Sequence, residues 1–230
     1  MPTLDRNDAV FVLDLGDTEN RFHPDWIASV NALLDEVEKA DGPRALVTTA
    51  SGKNWSQGLD LEWVFENPER FPAYLLEVHA LLARVLRLPL VTVAALQGHT
   101  FAAGAMLSLC HDLRIMRADR GWWCLPEADI NIPFSYGMSS LIQARLTPQT
   151  AHEAMVTAKR FNAPDAYAKQ IVDDVVPEPE LRARATALAE LHAPKAGPTL
   201  QTIKTRMYAA TLAALESKSE AIPDPAVFRR

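Results

Sequence analysis

Two loops in this chain share a feature able to do chemistry, a small residue or glycine placed where a strand gives way to a helix. They are "SGKNWSQGLDL" (51–61) and "GHTFAAGAML" (98–107). The first N–H groups of a helix have no intrahelical acceptor, so each start offers donors to an anion. Two converging starts make an oxyanion hole, a fixed pair of donors for the negative charge that develops on a carbonyl oxygen. Taken singly, Gly58 and Gly104 are better explained by easing a turn or the close packing of two backbones than by function. The stretch "FAAGAMLSLCHD" (101–112) meets its first charged side chain only at Asp112, so Met106 sits in a segment without acids.

Carboxylates appear in "LPEADINI" (125–132), which offers Glu127 and Asp129. If that segment is extended, the two share one face, because side chains alternate along a strand. Ile130, Ile132, Phe134 and Met106 are expected to surround Glu127 with apolar surface. Desolvation then raises a carboxyl pKa above its reference of about 4.3 and makes it a stronger base. The alternative for Glu127 is a strand-edge carboxylate in solvent. His99 either lines a pocket or serves as a structural hydrogen-bond partner at a helix start, and His23 in "RFHPD" reads as a cap or the residue before its helix.

The elements that must hold these groups alternate in type. "AVFVLDL" (9–15) reads as a strand, "GDTEN" as a turn, and "HPDWIASVNALLDEVEKA" as a helix with Pro24 in its first turn and Ile27, Val30, Leu33, Leu34 and Val37 on one face. Strand "ALVTT" (45–49), a helix from about Tyr74 to Arg87, strand "LVTVAAL", helix "AAGAMLSLCHD" and strand "LRIMRA" follow. This is an α/β rhythm. After about residue 137 the segments "SYGMSSLIQARL", "TPQTAHEAMVTA" and "APDAYAKQ", and the stretches from Pro179 and Pro198, read as helices, with only "DDVV" strand-like. The expected organisation is a core over residues 1–136 and a mainly helical oligomerisation region over 137–230. The tail "AIPDPAVFRR" is expected to be irregular.

Composition narrows the classes. The chain has 230 residues and a formal charge of −6, and the nearest approach to a basic stripe, Arg114, Arg117 and Arg120, is interrupted by Asp112 and Asp119. Nucleic acid is therefore not an expected partner. The two cysteines, Cys110 and Cys124, form neither a CxxC nor a zinc-type spacing, which predicts no metal and a cytoplasmic location. Asp5, Arg6, Asp8 and Asp14 leave no apolar core for a signal peptide. The uncharged span between Arg87 and Asp112 is long enough for a bilayer, but Pro89, Gln97, Gly98 and His99 divide it into a strand and a helix, so no membrane is expected either.

The order and spacing of the two loops and "LPEADINI" resemble the crotonase, or enoyl-CoA hydratase/isomerase, superfamily. "SGKNWSQGLDL" is similar to its F-S-x-G-x-D-L element, and "GHTFAAGAMLSLCHD" to its G-x-A-x-G-G-G-x-x-L-A-x-x-C-D element. "RFHPDWI" and "MRADRG" look like the monofunctional 3-enoyl-CoA to 2-enoyl-CoA isomerases. The resemblance implies a crotonase-type α/β spiral of ββα turns with a helical C-terminal trimerisation region, and a homotrimer or dimer of trimers. It implies oxyanion donors at Leu59 and Ala103, the latter an alanine whose methyl narrows the approach, and a catalytic base at Glu127, for which Asp129 is the reserve if the segment is extended and the two share a face. It also implies an acyl-CoA substrate bound by Arg21, Phe22, Gln57, Gly58, Asp60, Leu61, His99, Gly104 and Met106, with Lys53 or Lys204 at its phosphates. No permanently bound cofactor is expected, coenzyme A being part of the substrate. Trp122 and Trp123 are expected in core or trimer packing rather than in the acyl wall.

Water-adding members carry two glutamates, at the positions of Met106 and Glu127. Hydration needs a carboxylate pair to position and split water, whereas a double-bond shift needs one base that removes a proton and returns it two carbons away. A single acid fits isomerisation of a 3-enoyl-CoA in fatty-acid metabolism. Another acyl-CoA reaction on the same scaffold, such as hydrolysis, decarboxylation or weak hydration, and a silent acyl-CoA binder are the alternatives.

Overall fold

The computed structural model describes residues 1–218; the expected irregular tail "AIPDPAVFRR" lies outside them. Runs of apolar and β-branched residues form the strands of a six-stranded sheet: β1 (Thr3–Asn7), β2 (Val10–Asp14), β3 (Ala45–Thr49), β5 (Val91–Leu96), β7 (Leu113–Arg117) and β9 (Asp174–Val176), in the order β1-β2-β3-β5-β7-β9. Only β1 runs antiparallel to its neighbour. Its sequence, TLDRN, suits a half-solvated edge, whereas β3 and β5 are buried throughout, as parallel strands covered on both faces require.

A second sheet, absent from the sequence reading, consists of β4 (Asn54–Ser56), β6 (His99–Phe101) and β8 (Trp123–Cys124). All three strands are parallel. They are too short to show a period, so composition alone did not announce them. With them the chain's rhythm becomes a spiral in which each turn gives one strand to the large sheet, one to the small sheet, and then helix. β3 and β4 lead to α2 (Leu61–Glu66) and α3 (Phe71–Leu86); β5 and β6 lead to α4 (Ala103–Cys110); β7 and β8 lead to α5 (Tyr136–Arg145). The first turn is simpler: β2, a single bridge from Arg21 to Gly58, and α1 (Pro24–Lys39). Helix α1 buries Trp26, Ile27, Val30, Leu34 and Val37, close to the expected stripe.

The later region is mostly helical: α6 (Pro148–Thr157), α7 (Ala163–Ala168), α8 (Glu178–His192), α9 (Pro198–Met207) and α10 (Ala209–Leu215). It is also woven into the earlier part, because β9 pairs with β7. Leu181, Ala185 and Ala189 of α8 pack on one face of the large sheet against Val10, Val12, Ala45, Val47, Val93 and Ile115. The alternate residues Phe11, Leu13 and Leu46 face the other way into the main core with α1, α3 and α4. Arg114 and Arg117 are buried and ion-paired, to Asp173 and to Asp119 and Glu178, so the basic stripe seen in sequence is no free surface.

The far end of α4 is anchored by charge. The Arg145 guanidinium donates to the Leu109 and His111 carbonyls at 2.7 Å each and to that of Asp112 at 3.2 Å, a cation placed at a helix C-terminus. Asp112 in turn accepts from Thr92 N at 2.8 Å and from Lys204 Nζ at 2.6 Å. Lys204 is buried, with burial pulling its pKa down and Asp112 pushing it back up, so it is a structural cation rather than a phosphate ligand. Removing the carboxylate leaves an unpaired buried ammonium. Asp112→Ala is therefore expected to lower the unfolding free energy by about 3 kcal/mol, measured by urea denaturation, against about 0.5 kcal/mol or less for Lys39→Ala at an exposed pair.

Candidate active site

The three strands of the small sheet are parallel, with one register shift between Asn54 and Ser56 of β4, so their C-terminal ends arrive side by side. Past the end of β4 lies Gln57-Gly58-Leu59, past β6 lies Ala102-Ala103, and past β8 lies Leu125-Pro126-Glu127. Fit between backbones sets the spacing. A Cβ on Gly58, whose φ is +81°, would lie 2.6 Å from Ala103 N; a Cβ on Gly104 would lie 2.7 Å from the Cβ, Oγ and carbonyl oxygen of Ser56. Both glycines are thus required for close packing of two backbones; that approach is also what brings the two loops together. Neither the Leu59 nor the Ala103 N–H has a hydrogen-bond acceptor among the described residues. Ala102 turns the chain into α4 with φ +51° and ψ −128°, a costly conformation for a residue with a side chain.

The first loop is tied from below. Ser56 Oγ donates to the Asn20 carbonyl at 2.7 Å and accepts from Gly58 N at 3.1 Å, and Phe22 N donates to the Gly58 carbonyl at 2.8 Å. Asp60 caps α2 by accepting from Trp63 N, while its own N–H donates to Tyr74 Oη. The second loop is held by Ala102 N donating to the Cys124 carbonyl at 3.0 Å, and α4 by the buried Trp123 indole donating to Ser108 Oγ.

These loops open onto a cavity of about 620 Å³. Of the residues named from sequence, Arg21, Gln57, Leu59, Leu61, Ala103, Met106 and Glu127 line it. Glu127 is 6% exposed, with Oε2 buried and lacking a hydrogen-bond partner. Burial pushes its pKa up to about 8. The expected apolar surroundings are present: Met106, Ile130, Ile132 and Phe134 all line the same space.

Other expectations are corrected. Pro126 starts a 3-10 turn (Pro126–Ala128) where a strand was expected, so Asp129 does not share the face of Glu127; it is exposed and absent from the cavity wall. Phe22 is fully buried and stacked on Trp26, so only its backbone serves the site. His99 lies outside the cavity wall with its ring beside Phe101, and burial together with Lys53, Arg120 and Arg160 lowers its pKa. Lys53 and Asp60 do not line the cavity, nor do Gly58 and Gly104, which act through spacing. Trp123 is core, and Trp122 is partly exposed. Sequence reasoning missed Phe71 and Leu75 on α3, Glu62 and Phe65 on α2, Phe101, and Ser135, Tyr136 and Met138 at the start of α5. The i, i+4 spacing of Phe71 and Leu75 was a readable signal; the cavity-facing start of α5 had none.

Comparison with known proteins agrees with this geometry. Residues 5–223 match the family model described as enoyl-CoA hydratase/isomerase. The chain is 37% identical over 180 residues to enoyl-CoA delta isomerase 3 of Arabidopsis thaliana, covering 75% of this chain and 76% of that protein. It is 32% identical over 207 residues to a putative enoyl-CoA hydratase of Thermus thermophilus, covering 87% and 81%. Among solved structures, an enoyl-CoA isomerase of Mycobacterium tuberculosis superposes with a TM-score of 0.86 at 26% identity, covering 94% of this chain and 95% of that one.

The raised pKa of Glu127 has a consequence for stability. The folded state holds this proton more tightly than the unfolded state, so the contribution is full below the unfolded pKa near 4.5 and is lost as pH rises through about 8. Glu127→Gln, which removes the titration, is expected to match the wild type near pH 4.5 and to exceed it by a few kcal/mol at pH 9. Denaturation series at several pH values measure this, and a pH-independent difference would contradict the burial of the carboxylate.

Proposed function

Because the chain belongs to the enoyl-CoA hydratase/isomerase family, we propose that it is an isomerase that moves the double bond of a 3-enoyl-CoA ester to the 2-position. The observation that carries this reading is the single buried carboxylate on the cavity wall among the described residues: Glu127 is buried, Glu62 is solvent-exposed and ion-paired with Arg21, and the inner wall contributed by α4 presents Met106, 1% exposed, rather than a second acid. In the proposed reaction the thioester oxygen accepts hydrogen bonds from Leu59 N and Ala103 N. Glu127 removes a proton from carbon 2, the negative charge spreads into a dienolate whose oxygen the two donors stabilise, and the same carboxyl returns the proton to carbon 4. Desolvation strengthens the base for this task.

A thioether accepts hydrogen bonds weakly and takes no proton from water at neutral pH, so a water at the double bond lacks a second carboxylate partner. The route uses no cofactor beyond the CoA carried by the substrate. A helical C-terminal region that assembles trimers, with residues 1–136 as the catalytic core, belongs to the same proposal. So does a cytoplasmic location, which the two unpaired thiols of Cys110 and Cys124 support.

An ultraviolet assay of conjugation with 3-enoyl-CoA tests the reading. The wild type is expected to form the conjugated product, and Glu127→Gln to lose about 10²–10⁴-fold in rate while retaining CoA-ester binding. Hydration of 2-enoyl-CoA is expected to be far slower than isomerisation and to rise in Met106→Glu. Release of free thiol would instead indicate a hydrolase; equal hydratase and isomerase rates in the wild type would overturn the role given to Met106.

A further inference from the structure

One polar pair, Ser135 on the cavity wall and His79 behind it, has no part in the chemistry above. Helix α3 points Phe71 and Leu75 into the cavity, and His79 follows one turn further along the same stripe, buried behind them. His79 Nε2 lies 2.8 Å from Ser135 Oγ. Ser135 lines the cavity and is the N-cap of α5, its Oγ accepting from Met138 N at 3.1 Å. Burial lowers the His79 pKa to about 4, so the ring is neutral.

From behind, α5 is pressed against α10: a Cβ on Gly137 would lie 2.8 Å from Leu215 Cα, and Ser140 Oγ hydrogen-bonds Thr211 Oγ1 at 3.0 Å. The start of α5 is thus backed by α10 and tied across to α3 by the His79–Ser135 bond. Apolar contacts tolerate sliding, but a buried hydrogen bond fixes distance and direction. The facing side chains Phe71, Leu75 and Met138 are themselves almost fully buried, which leaves the walls little room to yield.

We propose that the His79–Ser135 hydrogen bond sets the width of the slot between α3 and α5 and makes the pocket selective for unbranched acyl chains. His79 is a positioning residue that acts through Ser135 on the wall. The inference rests on reading this cavity as the acyl pocket. A methyl branch that a fitted apolar slot must reject is worth about tenfold or more in discrimination.

The test compares linear and methyl-branched esters of equal chain length. Kd is measured for the saturated acyl-CoAs, and KM and kcat for the 3-enoyl-CoAs. The wild type is expected to prefer the linear ester about tenfold. His79→Leu, which removes the bond and leaves the Ser135 cap, is expected to erase most of that preference through the Kd and KM of the branched ester, and His79→Gln, able to hydrogen-bond Ser135, to restore it. A general structural weakening would lower activity on both esters alike. Should His79→Leu fail to fold, Ser135→Asn keeps a capping side chain while moving the partner of His79, and is expected to lose the preference too. Equal binding of both esters by the wild type, or an unchanged preference in a folded variant lacking the bond, would overturn the proposal. Because the Kd comparison needs no turnover, selective binding without conjugation would sink the isomerase reading alone.

Discussion

Everything in the proposed active site depends on one close approach, that of the β4 loop to the start of α4. Gly58 beside Ala103 and Gly104 beside Ser56 leave no room for a Cβ, and at that separation two backbone N–H groups from different turns of the chain lie next to one another. Backbone donors are fixed without side-chain entropy, which is why they suit charge that develops only during reaction. The parallel small sheet keeps them aligned, and because β8 is its third strand, the same register delivers Glu127 to the same end. Three groups far apart in sequence therefore share one scaffold of very short strands.

Holding such loops needs support from outside the site. Asn20 Nδ2 donates to the carbonyls of Gly16, Asn54 and Trp55, tying the first turn of the spiral to the β4 strand. Arg145, Asp112 and Lys204 anchor the opposite end of α4, and two of these come from the mainly helical part of the chain. That region thus contributes to the position of the proposed oxyanion donors as well as to the outer surface. The site itself is left with unfavourable features that the surroundings offset: a buried carboxyl lacking a partner at Oε2, a non-glycine residue at φ +51°, and unpaired N–H groups.

The long, strongly patterned elements were legible in the sequence. Strand β3 falls on the expected Ala45–Thr49, and the stripe of α1 is nearly the one expected, because a buried strand and an amphipathic helix each imprint a period. The small sheet was invisible, since two or three residues carry no period and its stability comes from neighbours remote in sequence. The error at Asp129 came from extending a strand through Pro126, whose ring instead starts a 3-10 turn. Phe22 fits the family motif but points into the core, a direction that motif spacing does not encode. The spacing of Phe71 and Leu75 on α3 was readable, whereas the residues at the start of α5 that complete the cavity became apparent only from tertiary packing.

The account's central claim is that the loops after β4 and β6 hold a thioester oxygen while the turn after β8 brings its carboxylate to the neighbouring carbon. A crystal structure of the wild-type protein with a non-isomerisable acyl-CoA measures this directly. The account predicts the thioester oxygen about 2.7–3.1 Å from both Leu59 N and Ala103 N, with a Glu127 oxygen within about 3.5 Å of carbon 2. A thioester bound with its oxygen away from those two donors, or with carbon 2 out of reach of Glu127, would contradict it.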